Sequence, residues 1–408
     1  MVHKLYYQDV YQKEFYAKVV KQEQDHEGNW YVVLNETAFY PTGGGQPFDT
    51  GTIQHLTVQK VEEIEGEIRH FVSSPLETRE IVQAKINWER RFDHMQQHTG
   101  QHILSAAFAQ LFQLETVSFH LGTEISTIDL HTQELTTDQV KEAVTLSNEI
   151  ILENRPIETR WVQKEELSQY QLRKDPSVTE NIRLVMITNF DDNACGGTHP
   201  TSTNEVGSIK VLYWERQKNG IRVYFICGNR VLTQFDQKQQ ILLTLTGLVS
   251  APEQDLPQVI EKRMAKEKDL AKSIEILKEE LLTYEAKEIL EVDELLIGRV
   301  YQERTIKELQ KLAQMVTKQR ATCTVFFVSE NENRLQIVGA RGGKSAYPCK
   351  DPILKELPTI SGKGGGNECL VQGGGEATLT ASDFLERLVK TASQADHTKD
   401  SLAYHLEK

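Results

Sequence analysis

Between Phe15 and Ser74, apolar and polar positions alternate in short runs. FYAKVV, NWYVVLN and TIQHLTVQKV are separated by turns of glycine, asparagine and glutamate. A period of two with frequent turn residues predicts short antiparallel strands, enough of them for a small β-barrel. From about Ile86 to Thr246 the pattern is mixed. Helical spacing is found near 98 to 113 and 137 to 154, and apolar runs near 182 to 189, 207 to 214 and 221 to 227 predict strands, together an α+β domain. From Pro252 to about Arg320, Glu, Lys and Leu dominate, and Leu270, Ile274, Leu277, Leu281 and Tyr284 step by four and three as a heptad seam. The seam is short, and Arg263 and Glu267 interrupt it upstream, so an intramolecular helical hairpin and a dimeric coiled coil both fit. The last stretch opens with two apolar strands, TCTVFFVSE and RLQIVGAR. It continues through GKGGGNECLVQGGGEA, residues 362 to 377, and ends in a helix from about Ser382. The fold class is α+β multidomain, divided at 1–85 (barrel), 86–250 (α+β), 251–321 (helical or coiled-coil connector) and 322–408 (α/β).

Composition narrows the function classes. A chain of 408 residues with 39% hydrophobic content can hold two or three packed domains. No charged-then-apolar leader follows Met1, and no apolar run approaches the length needed to span a bilayer, so a cytoplasmic location with no membrane partner is expected. Five cysteines, Cys195, Cys227, Cys323, Cys349 and Cys369, are odd in number and widely spread, which fits a reducing compartment. The formal charge of -13 argues against broad nonspecific nucleic-acid binding. A local excess of three positive charges lies between Arg341 and Lys363, from Arg341, Lys344, Lys350, Lys355 and Lys363 against Asp351 and Glu356. A solvated face explains it equally well.

Candidate chemistry begins in FDHMQQHTGQHILSAAF, residues 92 to 108, where His94, His98 and His102 recur every four residues. At that spacing side chains share a helix face, and two imidazoles can grip one ion. A solvated polar first turn is the plain alternative. DDNACGGTH, residues 191 to 199, adds Cys195 and His199 in a C-x3-H pair, with Gly196 and Gly197 free to fold tightly around an ion. His98, His102, Cys195 and His199 make a tetrahedral set of the kind zinc prefers, one ion per chain, with His94 left to the surroundings or the surface. In TAFYPTGGGQPFDTG, residues 37 to 51, Gly43, Gly44 and Gly45 let backbone approach a ligand, unless they only turn a hairpin corner. No Gly-Lys-Ser/Thr follows at phosphate-loop spacing, and GARGGKS at 339 to 345 is one residue short of such a loop.

The order FYPTGGGQPFDTG, MQQHTGQHILS, CGGTH and GKGGG...VQGGG resembles the editing domain of alanyl-tRNA synthetase and its free-standing relatives, the AlaX proteins. The resemblance covers essentially the whole chain. Its last stretch looks like the DHH-associated domain (DHHA1) that ends those synthetases, as in the long form of AlaX. The barrel begins near residue 15, leaving no room for an aminoacylation domain, so the resemblance implies hydrolysis and not synthesis. The implied reaction is zinc-dependent deacylation of tRNA(Ala) mischarged with serine, and with glycine. A small apolar pocket cannot strongly reject an isostere that adds a hydroxyl, so a second, hydrolytic site is needed. Thr42, Gln101 and His120 are the candidates for contact with the serine hydroxyl and for catalysis, Thr42 first because it resembles the family position. Gly43, Gly44, Gly45 and Gln46 would then bind substrate, and Arg341, Lys344 and Lys363 would bind tRNA. Zinc could hold the substrate or only organise the pocket. Homodimerisation through the connector or the C-terminal domain is open. The competing reading is a noncatalytic, zinc-dependent tRNA-binding protein.

Overall fold

A computed structural model describes residues 2–77, 80–176 and 178–394. The chain forms two compact units, 1–248 and 249–408.

The first unit opens with β1 (His3–Lys4), β2 (Glu14–Gln24), β3 (Trp30–Leu34), β4 (Glu36–Thr37), β5 (Gly51–Ile53), β6 (Leu56–Ile64), β7 (Glu67–Val72) and β8 (Ile81–Ile86). Six of these close into a barrel in the order β2-β3-β7-β6-β5-β8. Alternation sets the facing: Phe15, Ala17 and Val19 of β2 and Val82, Ala84 and Ile86 of β8 turn inward, and Tyr16 and Ile81 stay outside. Asn87 then caps α1 (Trp88–Phe112), its side chain accepting from Arg90 N. The helix begins ten residues before the start expected near 98, and its first half is not a solvated turn. From His94 to Phe108 every residue is buried. Most of the polar residues there find partners. Gln97 donates to Cys227 O and accepts from Cys227 N, Gln96 donates to Glu205 O, and Arg91 ion-pairs with Asp49. Gly100 is required by close approach: a Cβ there would lie 2.1 Å from Cys227 Sγ.

Around α1 lie β9 (Thr116–Leu121), β10 (Ser126–Leu130), α2 (Thr137–Leu152), β11 (Ile157–Val162), β12 (Ile182–Ile187), β13 (Asp191–Ala194), β14 (Ile209–Gln217) and β15 (Gly220–Cys227). They form two antiparallel sheets, β14-β15-β10-β9 and β11-β12-β13. Ile103, Leu104, Ala107 and Phe108 of α1 share one core with Ile128, Val223 and Phe225 of the larger sheet and with Ile150 and Ile151 of α2. Helix α3 (Asn229–Val249) follows.

The second unit contains α4 (Leu256–Ile289), β16 (Leu296–Gln302), α5 (Ile306–Gln319), β17 (Thr324–Asn331), β18 (Arg334–Arg341), α6 (Lys350–Glu356), β19 (Lys363–Gly366), β20 (Leu370–Glu376) and α7 (Ala381–Gln394). The sheet order is β16-β17-β18-β20-β19, parallel only between β16 and β17. Val325 and Phe327 pack on α5 and the end of α4, while Phe326 and Val328 pack on α6 and α7. The seam residues Leu270, Ile274, Leu277, Leu281 and Tyr284 are each more than half exposed. Only Leu282, Ala286 and Ile289, one step off the seam, are buried near the end of α4.

The glycines of this unit are packing residues as much as backbone donors. Gly373 and Gly374 of β20 are paired on both sides, and a Cβ on Gly373 or Gly375 would strike Leu357 Cδ2 at 2.8 Å or Ile360 O at 2.2 Å. The basic excess read between Arg341 and Lys363 is not one patch. Lys363 pairs with Gly374, which pairs with Gln336, five residues along β18 from Arg341 and so about 17 Å away. Lys350 is paired with Glu368, and Arg341 donates to Ser345 O. Among the described residues, no helix is long and apolar enough to cross a membrane.

Candidate metal centre

His98 and His102 come from the middle of α1, and Cys195 and His199 from the loop after β13. One ligand atom from each lies within 4.8 Å of all the others. Tetrahedral zinc, with bonds of about 2.3 Å to sulfur and 2.0–2.1 Å to nitrogen, places sulfur and nitrogen roughly 3.5 Å apart. Cys195 Sγ lies 3.4 Å from His98 Nε2 and 3.3 Å from His199 Nε2.

The three imidazoles are oriented alike. His98 Nδ1 meets Gln46 Oε1 at 3.0 Å, His102 Nδ1 meets Asp191 Oδ2 at 3.2 Å, and His199 Nδ1 meets Thr99 Oγ1 at 2.8 Å. With every Nδ1 engaged, every Nε2 is left for the common point, the arrangement that fixes tautomer and ring angle at metal sites. Arg173 holds Asp191 in turn, Nε to Oδ1 at 2.7 Å. Burial raises the Cys195 thiol, but His98, His199 and His102 outweigh it and hold it well below its ordinary value. Burial raises Asp191 too, and His102 and Arg173 bring it down overall. The donor set, one thiolate-prone sulfur and three neutral-capable nitrogens, therefore fits a borderline-soft divalent ion.

Glycine permits the closeness. A Cβ on Gly197 would fall 2.2 Å from His98 Cε1. Gln46 locks the barrel loop onto this turn, donating from Nε2 to Thr198 Oγ1 at 2.8 Å and accepting from Thr198 N at 3.0 Å. Read as a substrate-binding residue, Gln46 is instead buried, with both ends of its amide committed. Gly43 N and Gln46 N exchange hydrogen bonds with the opposite carbonyls, so the three glycines do turn a hairpin corner, and Gly44 also reaches the cleft.

His98, His102 and Cys195 line a cleft of about 510 Å³ with Gln101, Phe119, Trp161, Lys174 and Arg183 among its walls. Gln101 donates from Nε2 to Ser105 Oγ at 2.9 Å, leaving its carbonyl oxygen as an acceptor. Thr42 and His120 are both exposed and stand outside the cleft lining. For His120 the cause is strand alternation: its neighbour Phe119 turns in and stacks on His98, centroids 5.3 Å apart. Thr42 precedes the glycine corner, tied by its backbone N–H to Val61 O. His94 is not at the surface. It is buried, its Nδ1 has no partner, and it lies outside the ligand group. Asp191, Thr99, Arg173, Arg183 and Trp161 were not singled out from sequence. Asp191 and Thr99 sit inside the quoted motifs, and the other three carry no local signal.

A barrel loop clamped onto a buried three-histidine, one-cysteine cluster beside an α+β core defines a candidate metal-site domain. Residues 3–90 match the family of class II (A) tRNA synthetases, and residues 182–224 match the second additional domain of threonyl and alanyl tRNA synthetases. The alanyl-tRNA editing protein AlaX-L of Pyrococcus horikoshii is 32% identical over 92% of this chain and 95% of its own. An alanyl-tRNA editing protein of Bos taurus is 34% identical over 65% of this chain and 63% of its own. The chain belongs to the alanyl-tRNA editing protein family. It is also 32% identical to the alanine–tRNA ligase of Pyrococcus furiosus over 94% of this chain, and spans only 43% of that enzyme's length.

Proposed function

We propose that this chain is a trans-editing hydrolase that cleaves the aminoacyl ester of mischarged tRNA(Ala), with serine and also glycine as the amino acids removed. The observation that carries the reading is the centre itself: three imidazoles with their Nδ1 atoms engaged and a thiolate-prone cysteine meet beside a cleft, in a chain that aligns over 92% of its length with 95% of an AlaX-L protein. Zinc, one per chain, is the ion assigned to His98, His102, Cys195 and His199, where it would supply positive charge to polarise a carbonyl or order the pocket. The five cysteines carry no disulfide, which supports a reducing, cytoplasmic setting.

Hydrolysis adds water at the ester carbonyl, breaks the acyl–oxygen bond, and releases the amino acid and the ribose hydroxyl. Gln101 is the first candidate for discrimination, because its carbonyl oxygen can accept from a serine hydroxyl that alanine lacks. Thr42, exposed on the loop whose Gly44 lines the cleft, is the second. His120 ranks last, and Gly43, Gly44 and Gly45 offer backbone contact to substrate. Within the two units we retain the division at 85, 250 and 321. Arg341, Lys344 and Lys363 are assigned to the tRNA body, as separate contacts and not one patch. The exposed seam of α4 is assigned to self-association.

The test is deacylation of Ser-tRNA(Ala), Gly-tRNA(Ala) and Ala-tRNA(Ala) by the purified full chain, with and without a chelator. Serine and glycine released, alanine spared and activity lost on chelation are expected. Equal release of alanine, or no release of any, would overturn the reading.

A further inference from the structure

One side of the metal cleft carries features that the chemistry of the centre does not use. Trp161 is 54% exposed, and Val117 and Val178, at 48% and 52%, line the same cleft. Large apolar side chains grouped at the mouth of a polar site mark a surface awaiting a partner. Register places Trp161. It lies opposite Arg183 across β11 and β12, and Cys195 N donates to Arg183 O, continuing that row into the next strand. Residues directly opposite share a sheet face, so Trp161, Arg183 and Cys195 stand in line with Arg183 between them. Two strand spacings, about 10 Å, separate the indole from the thiol.

The indole is held in place. Tyr7 meets it edge to face at 5.4 Å and anchors itself by donating to Gly196 O at 2.9 Å. An edge contact leaves ring face uncovered. Two cations flank it without a carboxylate partner among the described residues: Arg183, which donates to Cys195 O and Gly197 O, and Lys174, which reaches Val117 O. A planar ring platform, positive charge with no carboxylate partner among the described residues and a ligand cluster about 10 Å off match a nucleotide carrying an acyl group on its ribose. Four covalent bonds of about 1.5 Å lead from the glycosidic carbon to the ester carbonyl. A base stacked on Trp161 therefore leaves the carbonyl beside His98, His102, Cys195 and His199.

We infer that Trp161 is the stacking platform for the terminal base of the aminoacylated RNA, and that Lys174 and Arg183 meet the phosphate that joins this nucleotide to the one before. The inference rests on the deacylase reading and names how its substrate's end is gripped. Stacking is tolerant of base identity, so it supplies affinity and position, while the acyl pocket supplies selectivity.

The test uses the zinc-loaded full chain and three probes: adenosine 5′-monophosphate, adenosine and ribose 5-phosphate. Trp161→Ala is expected to weaken the first two about tenfold and leave ribose 5-phosphate unchanged, and Trp161→Phe to keep binding within about threefold. Lys174→Gln is expected to weaken both phosphate-bearing probes and spare adenosine. Zinc content, unchanged in each variant, reports an intact fold. For Ser-tRNA(Ala), Trp161→Ala should raise KM more than it lowers kcat. Nucleotide binding that is undetectable in the millimolar range, or indifferent to Trp161→Ala, overturns the inference even if deacylation is found. If the wild-type chain deacylates nothing and still binds the nucleotide through Trp161, the function proposed above falls and the platform stands.

Discussion

Helices α1 and α4 invert the usual rule of burial. HMQQHTGQH is among the most polar stretches of the chain and is buried throughout, whereas α4 carries a regular leucine and isoleucine seam and exposes it. The difference lies in available partners. In α1 each glutamine meets a backbone or side-chain group that would otherwise be unpaired, and each liganding histidine meets both a hydrogen-bonding group and the ion site. Apolar side chains in α4 need only another apolar surface, and their own unit presents one only beyond Leu281. Hydropathy reports the cost of burial; it does not report whether a partner is waiting.

The comparison breaks most sharply at the ligands. His102→Ala with Cys195→Ala should take zinc from one per chain to background by elemental analysis, and full retention would put the ion elsewhere. Asp191→Asn keeps the size of the side chain but removes the charge that holds His102, and metal affinity measured by competition with a chelator should fall about 10- to 100-fold. Gln97→Leu leaves Cys227 N–H and C=O buried without partners, for a loss of about 2–4 kcal/mol in denaturant unfolding. Gly100→Ala drives a methyl into Cys227 Sγ and should cost about 1–3 kcal/mol. At the small end, Leu277→Lys on α4 should change stability by no more than about 0.5 kcal/mol. The same change should shift sedimentation toward monomer if the seam pairs two copies. A stability loss as large as that of Gln97→Leu would show the seam to be covered within one chain.

Spacing made the ligand set legible, because four residues on a helix and a tight glycine turn each constrain where side chains go. What surrounds the ligands was less so. The start of α1 was hidden since ERRFDHMQQ has no apolar stripe, and its cap is a single asparagine. His120 and Phe119 are indistinguishable in periodicity until the strand's facing is known. Trp161, Arg183 and Cys195 become neighbours only through strand register, which no local pattern encodes. In the second unit VFFV reads as a strand buried on both faces, and it is one. The strands in the glycine runs were not legible, because a glycine demanded by Leu357 overhead looks the same as one that turns a corner.

The amide of Gln46 joins a residue made early to ligands made late. Gln46 and its partner Thr198 stand 152 residues apart in the chain, and His199 is the next residue. At about 5–20 residues per second, synthesis needs roughly 8–30 s to cross that interval. Cys195 follows His102 by 93 residues, so for about 5–19 s of that time the two imidazoles exist without the thiol. The full donor set, and the Gln46 contacts that clamp the barrel loop onto it, can therefore form only after Thr198 and His199 have been made.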